Sequence, residues 1–344
     1  MSSESSESPD PAQQGPAHQV TSADVARAAK VSRTTVSLVL NDTPSARISE
    51  RTRERVRAAA EQLGYVPHAA ARSLRAGQSD LVLLPFAVAA IGGLAAEWVD
   101  RFESAVGELG YTVVLHGDRV PEPLAAARAW ARLRPAAVVA SDDPRLTADA
   151  ARVLHRAGVR AVIASAPAPV EGVYTLIVDH AELGEAAVRH LLERGCRTIG
   201  VVMPTERGLA TFAEPRLAGA RRAAAAYGAE IVQLPMRCSE EAAAALAVLC
   251  RELGLDAVFG CNDEYAALLC AALGDLGVAV PGQIAVAGAD DLLLGRVVRP
   301  RLTTVRFHPP APGVLAETLH ALVTTGAAEP LPPVRFEVVV RESS

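Results

Sequence analysis

Nine short apolar runs recur along the chain from residue 81 to residue 288. They read LVLLPF (81–86), YTVVLH (111–116), AAVVA (136–140), RAVIA (160–164), VYTLIV (173–178), TIGVVM (198–203), EIVQL (230–234), DAVFG (256–260) and IAVAG (284–288). Each is short and mainly apolar, as buried strands of a parallel sheet are. Helical patterns of about 10–17 residues separate them, which predicts a parallel sheet with helices on both faces. Roughly 260 residues of this pattern exceed what one such sheet holds, so two similar doubly wound subdomains side by side are expected. A ligand would then bind in the cleft near the strand ends.

The chemistry of an enzyme is missing from this frame. There is no G-x-G-x-x-G, no G-x-x-x-x-G-K-[ST], no G-x-S-x-G and no H-E-x-x-H. Asp142-Asp143 and Asp290-Asp291 read either as metal or acid–base pairs, or as loops after a strand with a helix-capping carboxylate. The five cysteines (Cys196, Cys238, Cys250, Cys261, Cys270) are scattered and odd in number, with no C-x-x-C or Cys/His cluster. Free thiols in a reducing cytosol are expected, with no metal and no cofactor. The N-terminus lacks a basic start and an apolar stretch, so it does not read as a signal peptide. The longest uncharged run, residues 81–96, is shorter than the roughly 20 residues a spanning helix needs and contains Pro85 and Gly92-Gly93. No membrane partner is expected.

The net charge of −5 is unevenly spread. Residues 1–18 carry three acidic side chains and no Lys or Arg, and read as a disordered tail. Residues 19–79 hold ten basic against five acidic residues, and the remainder 24 against 31. A small basic module on an acidic body points to a polyanionic partner for the module alone.

Within that module, Thr21 followed by Asp24 forms a capping-box pattern. Val25, Ala28 and Ala29 then give one apolar helix face, and Lys30-Val31 makes a short turn. Ser32 is a second N-cap candidate. The helix over 33–40 turns Val36, Val39 and Leu40 inward and shows Arg33, Thr34, Ser37 and Leu38 on its other face. Asn41, Asp42 and Pro44 break it. Ser49 caps a third helix with Val56, Ala59, Ala60 and Leu63 inward, and Gly64 ends it. Two short helices joined by a tight turn and braced by a third are the helix-turn-helix plan. Its second helix enters the major groove and presents its N-terminal residues to base edges. Arg33 can hydrogen-bond guanine or a phosphate, and Thr34 and Ser37 can reach bases or phosphates. The same periodicity and charge also fit a small helical bundle with no role on DNA.

The residues themselves go further. V-T-x-x-D-V-A-x-x-A-x-V-S-x-x-T-V-S-x-V-L-N, then I-S-x-x-T-R-x-R-V-x-x-A-x-x-L-G-Y-x-P, then A-R-S-L, run almost unbroken over residues 20–77. This stretch resembles the lactose/galactose repressor family of bacterial regulators. The resemblance implies a homodimer, or a higher assembly, on a pseudo-palindromic double-stranded DNA operator. It implies a helix-turn-helix domain at 19–66, a hinge helix and linker at 67–79, and a two-lobed core at 80–344 like the periplasmic binding proteins. The N-subdomain would span about 80–178 and 309–330, and the C-subdomain about 179–308 and 331–341. Residues matching DNA-contacting positions are Thr21, Ser32, Arg33, Thr34, Thr35, Ser37 and Asn41, with Tyr65 and His68 near the backbone. Leu38 stands where the family commonly has a base-reading arginine; it can touch a thymine methyl, which implies a different half-site. In the hinge segment PHAAARSLRAG, Arg72 would meet phosphate. Paired copies of Leu74 would wedge into a central base step and bend the duplex.

The resemblance continues at lower strength through the core, in DHAELGEAAVRHLLERGCRTIGVV, EPRLAGARRA, CNDEYA, and VPGQIAVAGADD followed by PRLTTVR. Carried over, the effector contacts would be Asp179, Arg207, Arg216, Asn262 and Asp290. Arg216 can fork onto a carboxylate or vicinal hydroxyls. Ala220 and Ala289 replace aromatics of the family, Ser165 replaces an aspartate, and aromatic residues are only 4% of the chain. Among sugars, nucleobases and other polar metabolites, a common sugar is therefore not the expected effector. A smaller or less planar polar ligand fits, and so does a core that has lost its ligand and responds to a partner protein or DNA alone. A non-regulatory ligand-binding protein would need an export signal that the N-terminus lacks. The overall expectation is a cytoplasmic transcriptional regulator of the repressor type, not an enzyme.

Overall fold

The computed structural model describes residues 20–40, 48–66, 79–85, 93–117, 120–141, 143–206 and 208–344. The acidic tail, nearly all of the expected hinge, and with them Asn41, His68, Arg72, Leu74, Asp142 and Arg207 lie outside the described residues. The chain divides into two compact units, Met1–Ser79 and Asp80–Ser344.

The first unit contains α1 (Ser22–Ala29), α2 (Arg33–Leu40) and α3 (Glu50–Gln62). Its core is made of Val25, Ala26, Ala29, Val36, Val39, Val56, Ala59 and Ala60, with Leu40 and Tyr65 packed against it. The turn between α1 and α2 closes through Lys30, at φ 54° in the left-handed region, while the Val31 N–H donates to the Ala26 carbonyl at 3.0 Å. Two expected core residues are displaced. Ala28 is exposed and Ala26 takes its place, because α1 packs against both α2 and α3 and its buried stripe turns towards them. Leu63 is the C-cap of α3, past its last turn, and is 37% exposed.

In the second unit, all nine apolar runs form strands. β1 (Leu81–Pro85), β2 (Thr112–His116), β3 (Ala137–Ser141), β4 (Ala161–Ala166) and β5 (Tyr174–Ile177) make one all-parallel sheet in the order β2-β1-β3-β4-β5. Successive residues of β1 serve opposite faces. Val82 and Leu84 join the cluster of Phe102, Val106 and Leu319, and Leu83 joins that of Trp130 and Leu154. Helices α4 (Gly93–Glu108), α5 (Pro123–Arg132) and α6 (Ala148–Arg156) cover those faces.

The second sheet has the order β11-β10-β9-β8-β6-β7. It is built from β6 (Thr198–Pro204), β7 (Glu230–Met236), β8 (Ala257–Phe259), β9 (Ala285–Ala289), β10 (Thr303–His308) and β11 (Arg335–Val339). All neighbours are parallel except β10 and β11. Its helices are α7 (His180–Glu193), α8 (Ala210–Tyr227), α9 (Glu240–Glu252), α10 (Asp263–Asp275) and the single turn α11 (Leu293–Val297). A last helix, α12 (Pro312–Thr325), follows β10 in sequence but buries Leu315, Ala316, Leu319 and Val323 against the first sheet. The chain therefore passes between the lobes three times: between β5 and α7, between β10 and α12, and between α12 and β11. Leu176, Val178 and Val334 form a small apolar cluster at these crossings, with Phe307, Leu331 and Phe336 against it.

Candidate effector site and DNA-reading helix

On α2, Ser32 accepts the Thr35 N–H at 3.0 Å and meets the Thr35 hydroxyl at 2.9 Å, so both side chains hold the helix N-terminus. Arg33 and Thr34 are exposed, and Ser37 and Leu38 are half-exposed on the face away from the core. Thr21 and Asp24 form the expected capping box at the start of α1. The Thr21 N–H and hydroxyl both donate to Asp24, at 2.9 and 2.6 Å. Those two bonds from Thr21 hold the Asp24 carboxyl down at about 2. Tyr65 lies half-buried against the helical core.

Between the two sheets of the core lies a cavity of about 400 Å³. It sits at the carboxyl ends of strands from both sheets, where doubly wound folds bind ligands. From the first sheet come Ser141 and Ser165, at the ends of β3 and β4; from the second come Cys261, Asn262 and Asp290, just past β8 and β9. The lobe crossings add Val178, Pro309 and Pro310.

Arg216 is the centre of the polar wall. It projects from α8 one residue after Pro215, is 5% exposed, donates to Asp290 Oδ1 at 2.9 Å and also donates to the Cys261 carbonyl. Its buried Nε has no hydrogen-bond partner. Close helix packing seats it. A Cβ on Gly184 of α7 would stand 1.9 Å from the Arg216 carbonyl oxygen, and one on Gly219 of α8 would stand 1.8 Å from that of Ala181. Only glycine lets the two backbones approach so closely.

Asp290 and Asp291 do not form a metal or acid–base pair. Both have positive φ, 86° and 48°, so the chain turns sharply after β9 and sends the two carboxylates to different arginines. Asp290 takes Arg216, while Asp291 accepts from Arg296 and Arg306, each at 2.8 Å, and from Arg341. Burial raises the Asp291 carboxyl, but these arginines carry it below the ordinary range. Asp143 of the other acidic pair is tied to Arg145, which lies over the Trp130 ring. Among the described residues no cluster of His, Cys, Asp and Glu could hold a metal, and all five cysteines are free.

The other expected contacts divide. Asn262 lines the cavity, but its carbonyl caps α10 by accepting the N–H groups of Glu264 and Tyr265 at 3.0 and 3.1 Å. Its amide N–H₂, which also reaches Glu264 Oε2 at 3.5 Å, is what remains for a ligand. Asp179 does not line the cavity; its carboxylate caps α7 by accepting the Ala181 N–H at 2.8 Å. The structure also brings in residues that sequence reasoning missed. Glu206 accepts the Tyr265 hydroxyl at 2.6 Å and the Cys238 N–H at 2.7 Å. Trp98, Phe212 and Phe307 supply the aromatic surface expected to be absent, and Phe212 stands edge-on to His180 at 5.2 Å between centroids.

The comparisons with known proteins match this geometry. Residues 21–68 fit the model of bacterial regulatory proteins of the lacI family, and residues 188–344 that of a periplasmic binding protein-like domain. The chain is 32% identical to the HTH-type transcriptional regulator GalR of Escherichia coli K12, with 83% of each chain covered. The transcriptional regulator CelR in complex with cellobiose superposes with a TM-score of 0.62 at 27% identity, covering 94% of this chain and all of that one. The lac repressor dimer bound to operator and the anti-inducer ONPF superposes with a TM-score of 0.73 at 24% identity, covering 94% and 98%. Among the described residues no helix is long and apolar enough to cross a membrane. A DNA-binding helix-turn-helix module precedes a periplasmic-binding-protein-like core in this chain, which therefore belongs to the lacI family of bacterial regulatory proteins.

Proposed function

We propose that the chain is a repressor that binds a pseudo-palindromic operator as a dimer and is gated by a small polar metabolite held between its lobes. The observation that carries the gating is the cavity itself: about 400 Å³, walled by both lobes, with the buried Arg216–Asp290 pair on one side. A core that had lost its ligand has no need to keep an arginine donor buried and unmet at such a place. Arg216, Asp290 and the Asn262 amide are the proposed effector contacts, with Arg207 as a further one. Asp179 drops out because its carboxylate holds a helix end.

The reading face would be Thr21, Ser32, Arg33, Thr34, Thr35, Ser37, Leu38 and Asn41, supported near the backbone by Tyr65 and His68. Arg72 and Leu74 would engage the minor groove through a hinge helix formed by 67–79. A second copy is supported by the apolar surface of α11, where Leu293 is 74% exposed, Val297 60% and Leu294 40%. Such a patch on a monomer marks an interaction site.

Band-shift titration tests the whole reading. A selected operator is expected to be bound well ahead of bulk competitor, and one metabolite is expected to move the midpoint about 5–150-fold. No DNA sequence beating bulk competitor would overturn the DNA-reading half. A midpoint that no metabolite moves would overturn the gating half.

A further inference from the structure

The charges around the cavity do not balance. Among the described residues its wall carries three carboxylates, Glu206, Glu264 and Asp290, against one arginine, Arg216. Arg216 and Asp290 are matched to each other at 2.9 Å, both largely buried. That leaves Glu206 and Glu264 without a cation among the described residues of the wall, and the wall stays net negative even with the proposed contact Arg207 added.

The two lie together. Glu206 receives the hydroxyl of Tyr265, the residue that follows Glu264, and both carboxylates raise the Cys238 thiol after burial has already done so. Burial pushes the Glu206 carboxyl up, but the Tyr265 hydroxyl, the Cys238 N–H and the neighbouring charge of exposed Arg237 carry it below its ordinary value. Glu264 sits in the first turn of α10, where the helix dipole favours negative charge. Much of the remaining wall is apolar, including the rings of Trp98, Phe212 and Phe307. Carboxylates facing such a space are poorly solvated unless a counter-charge enters it. Aromatic faces attract the same counter-charge.

We propose that the cavity selects a cationic ligand, an amine carried on a partly apolar body, over neutral and anionic metabolites. The proposal rests on the reading of the cavity as the effector site and specifies its ligand class. The ammonium would sit at Glu206 and Glu264, the apolar body would lie against the rings, and a hydroxyl or carbonyl would take the Arg216–Asp290 end. An anion in the same place would meet a net negative wall, which gives discrimination by repulsion as well as attraction.

Two matched sets of probes test it on the full chain at pH 7 and low salt, by saturation-transfer NMR with titration. One set is tryptamine, tryptophol and indole-3-propionate; the other is glucosamine, glucose and glucuronate. In at least one set the amine is expected to bind about tenfold more tightly than its neutral partner, the scale of one charge-assisted hydrogen bond, with the anion weakest. Glu206→Gln and Glu264→Gln are each expected to shrink the ratio of amine to neutral affinity to about threefold or less. Glutamine at 206 can accept the Cys238 N–H through its oxygen and donate its amide to the Tyr265 hydroxyl, and the second variant stands if the first does not fold. Absence of binding by both amines overturns the proposal, as does a preference that survives both substitutions. If instead a neutral or anionic member binds as tightly as the amine and moves the operator midpoint, the charge selection falls while the effector reading stands.

Discussion

Asp263 shows what one buried carboxylate does to this core. It is fully buried, accepts the Thr304 hydroxyl at 2.6 Å and the Leu292 N–H at 2.7 Å, and leaves so little room that a Cβ on Gly288 would stand 2.1 Å from its Oδ1. Burial lifts its carboxyl to about 7, against the two hydrogen bonds and with help from Asp290 and Asp291. In the unfolded chain the same group ionises near 4. Between those values the folded chain keeps a proton that the unfolded chain has released. The stabilisation is thus complete below about pH 4 and is lost as pH rises through about 7. The expected outcome is that Asp263→Asn gains on the wild type in melting temperature from pH 5 to pH 8, by on the order of 5 °C. A difference that does not change with pH would show that Asp263 titrates normally. At this scale the sequence was informative where motif and chemistry coincide, as at Arg216 and Asp290. It was silent on Glu206, Trp98 and Phe212, because they come from separate elements and only the packed lobes bring them to one cavity.

At the scale of elements, the crossing of α7 and α8 decides where Arg216 stands. Gly184 and Gly219 let the helices meet backbone to backbone, and Gly184 touches the Arg216 carbonyl itself. Gly184→Ala forces the helices apart, at a cost of about 1–3 kcal/mol typical of overpacking. It is expected to lower the unfolding midpoint of the core and to abolish ligand response at protein concentrations where the variant is still folded. Normal response in a destabilised variant would show that the crossing serves stability alone. The strands were readable because each is a short, mainly apolar run between helical patterns, and the central ones, β1, β3, β8 and β9, are buried on both faces. β10 and β11 were not read as strands. TTVRFH and RFEVV mix polar and charged residues with apolar ones, as suits the side of the sheet where one antiparallel strand closes the edge. Of the α1 stripe, Val25 and Ala29 are legible in the sequence, but alanine at both 26 and 28 gives periodicity no preference between them, and only contact with two other helices settles it.

For the whole molecule the three crossings between lobes are the decisive feature. Two lobes joined at three points have few ways to move other than closing on the cavity or opening it. Val178, Pro309 and Pro310, at two of those points, also line the cavity, so a ligand held there would meet the crossings as well as both walls. On the proposed function, effector and operator would compete for, or agree on, one lobe arrangement, and the coupling between them would be a single free energy read from either end. The core is a compact unit separate from the DNA-reading one, which makes this measurable. A ligand identified by thermal-shift screening is expected to bind residues 80–344 and the DNA-free full chain with equal affinity. Saturating operator is expected to change its affinity for the full chain about 5–150-fold. The ligand must change operator affinity by the same factor, measured independently by band shift. A factor of one, with operator leaving the ligand's affinity unchanged, would overturn the coupling. Equal factors lost together in Arg216→Lys would trace the coupling to the buried pair, since lysine keeps the charge but has no fork to hold both Asp290 and the Cys261 carbonyl.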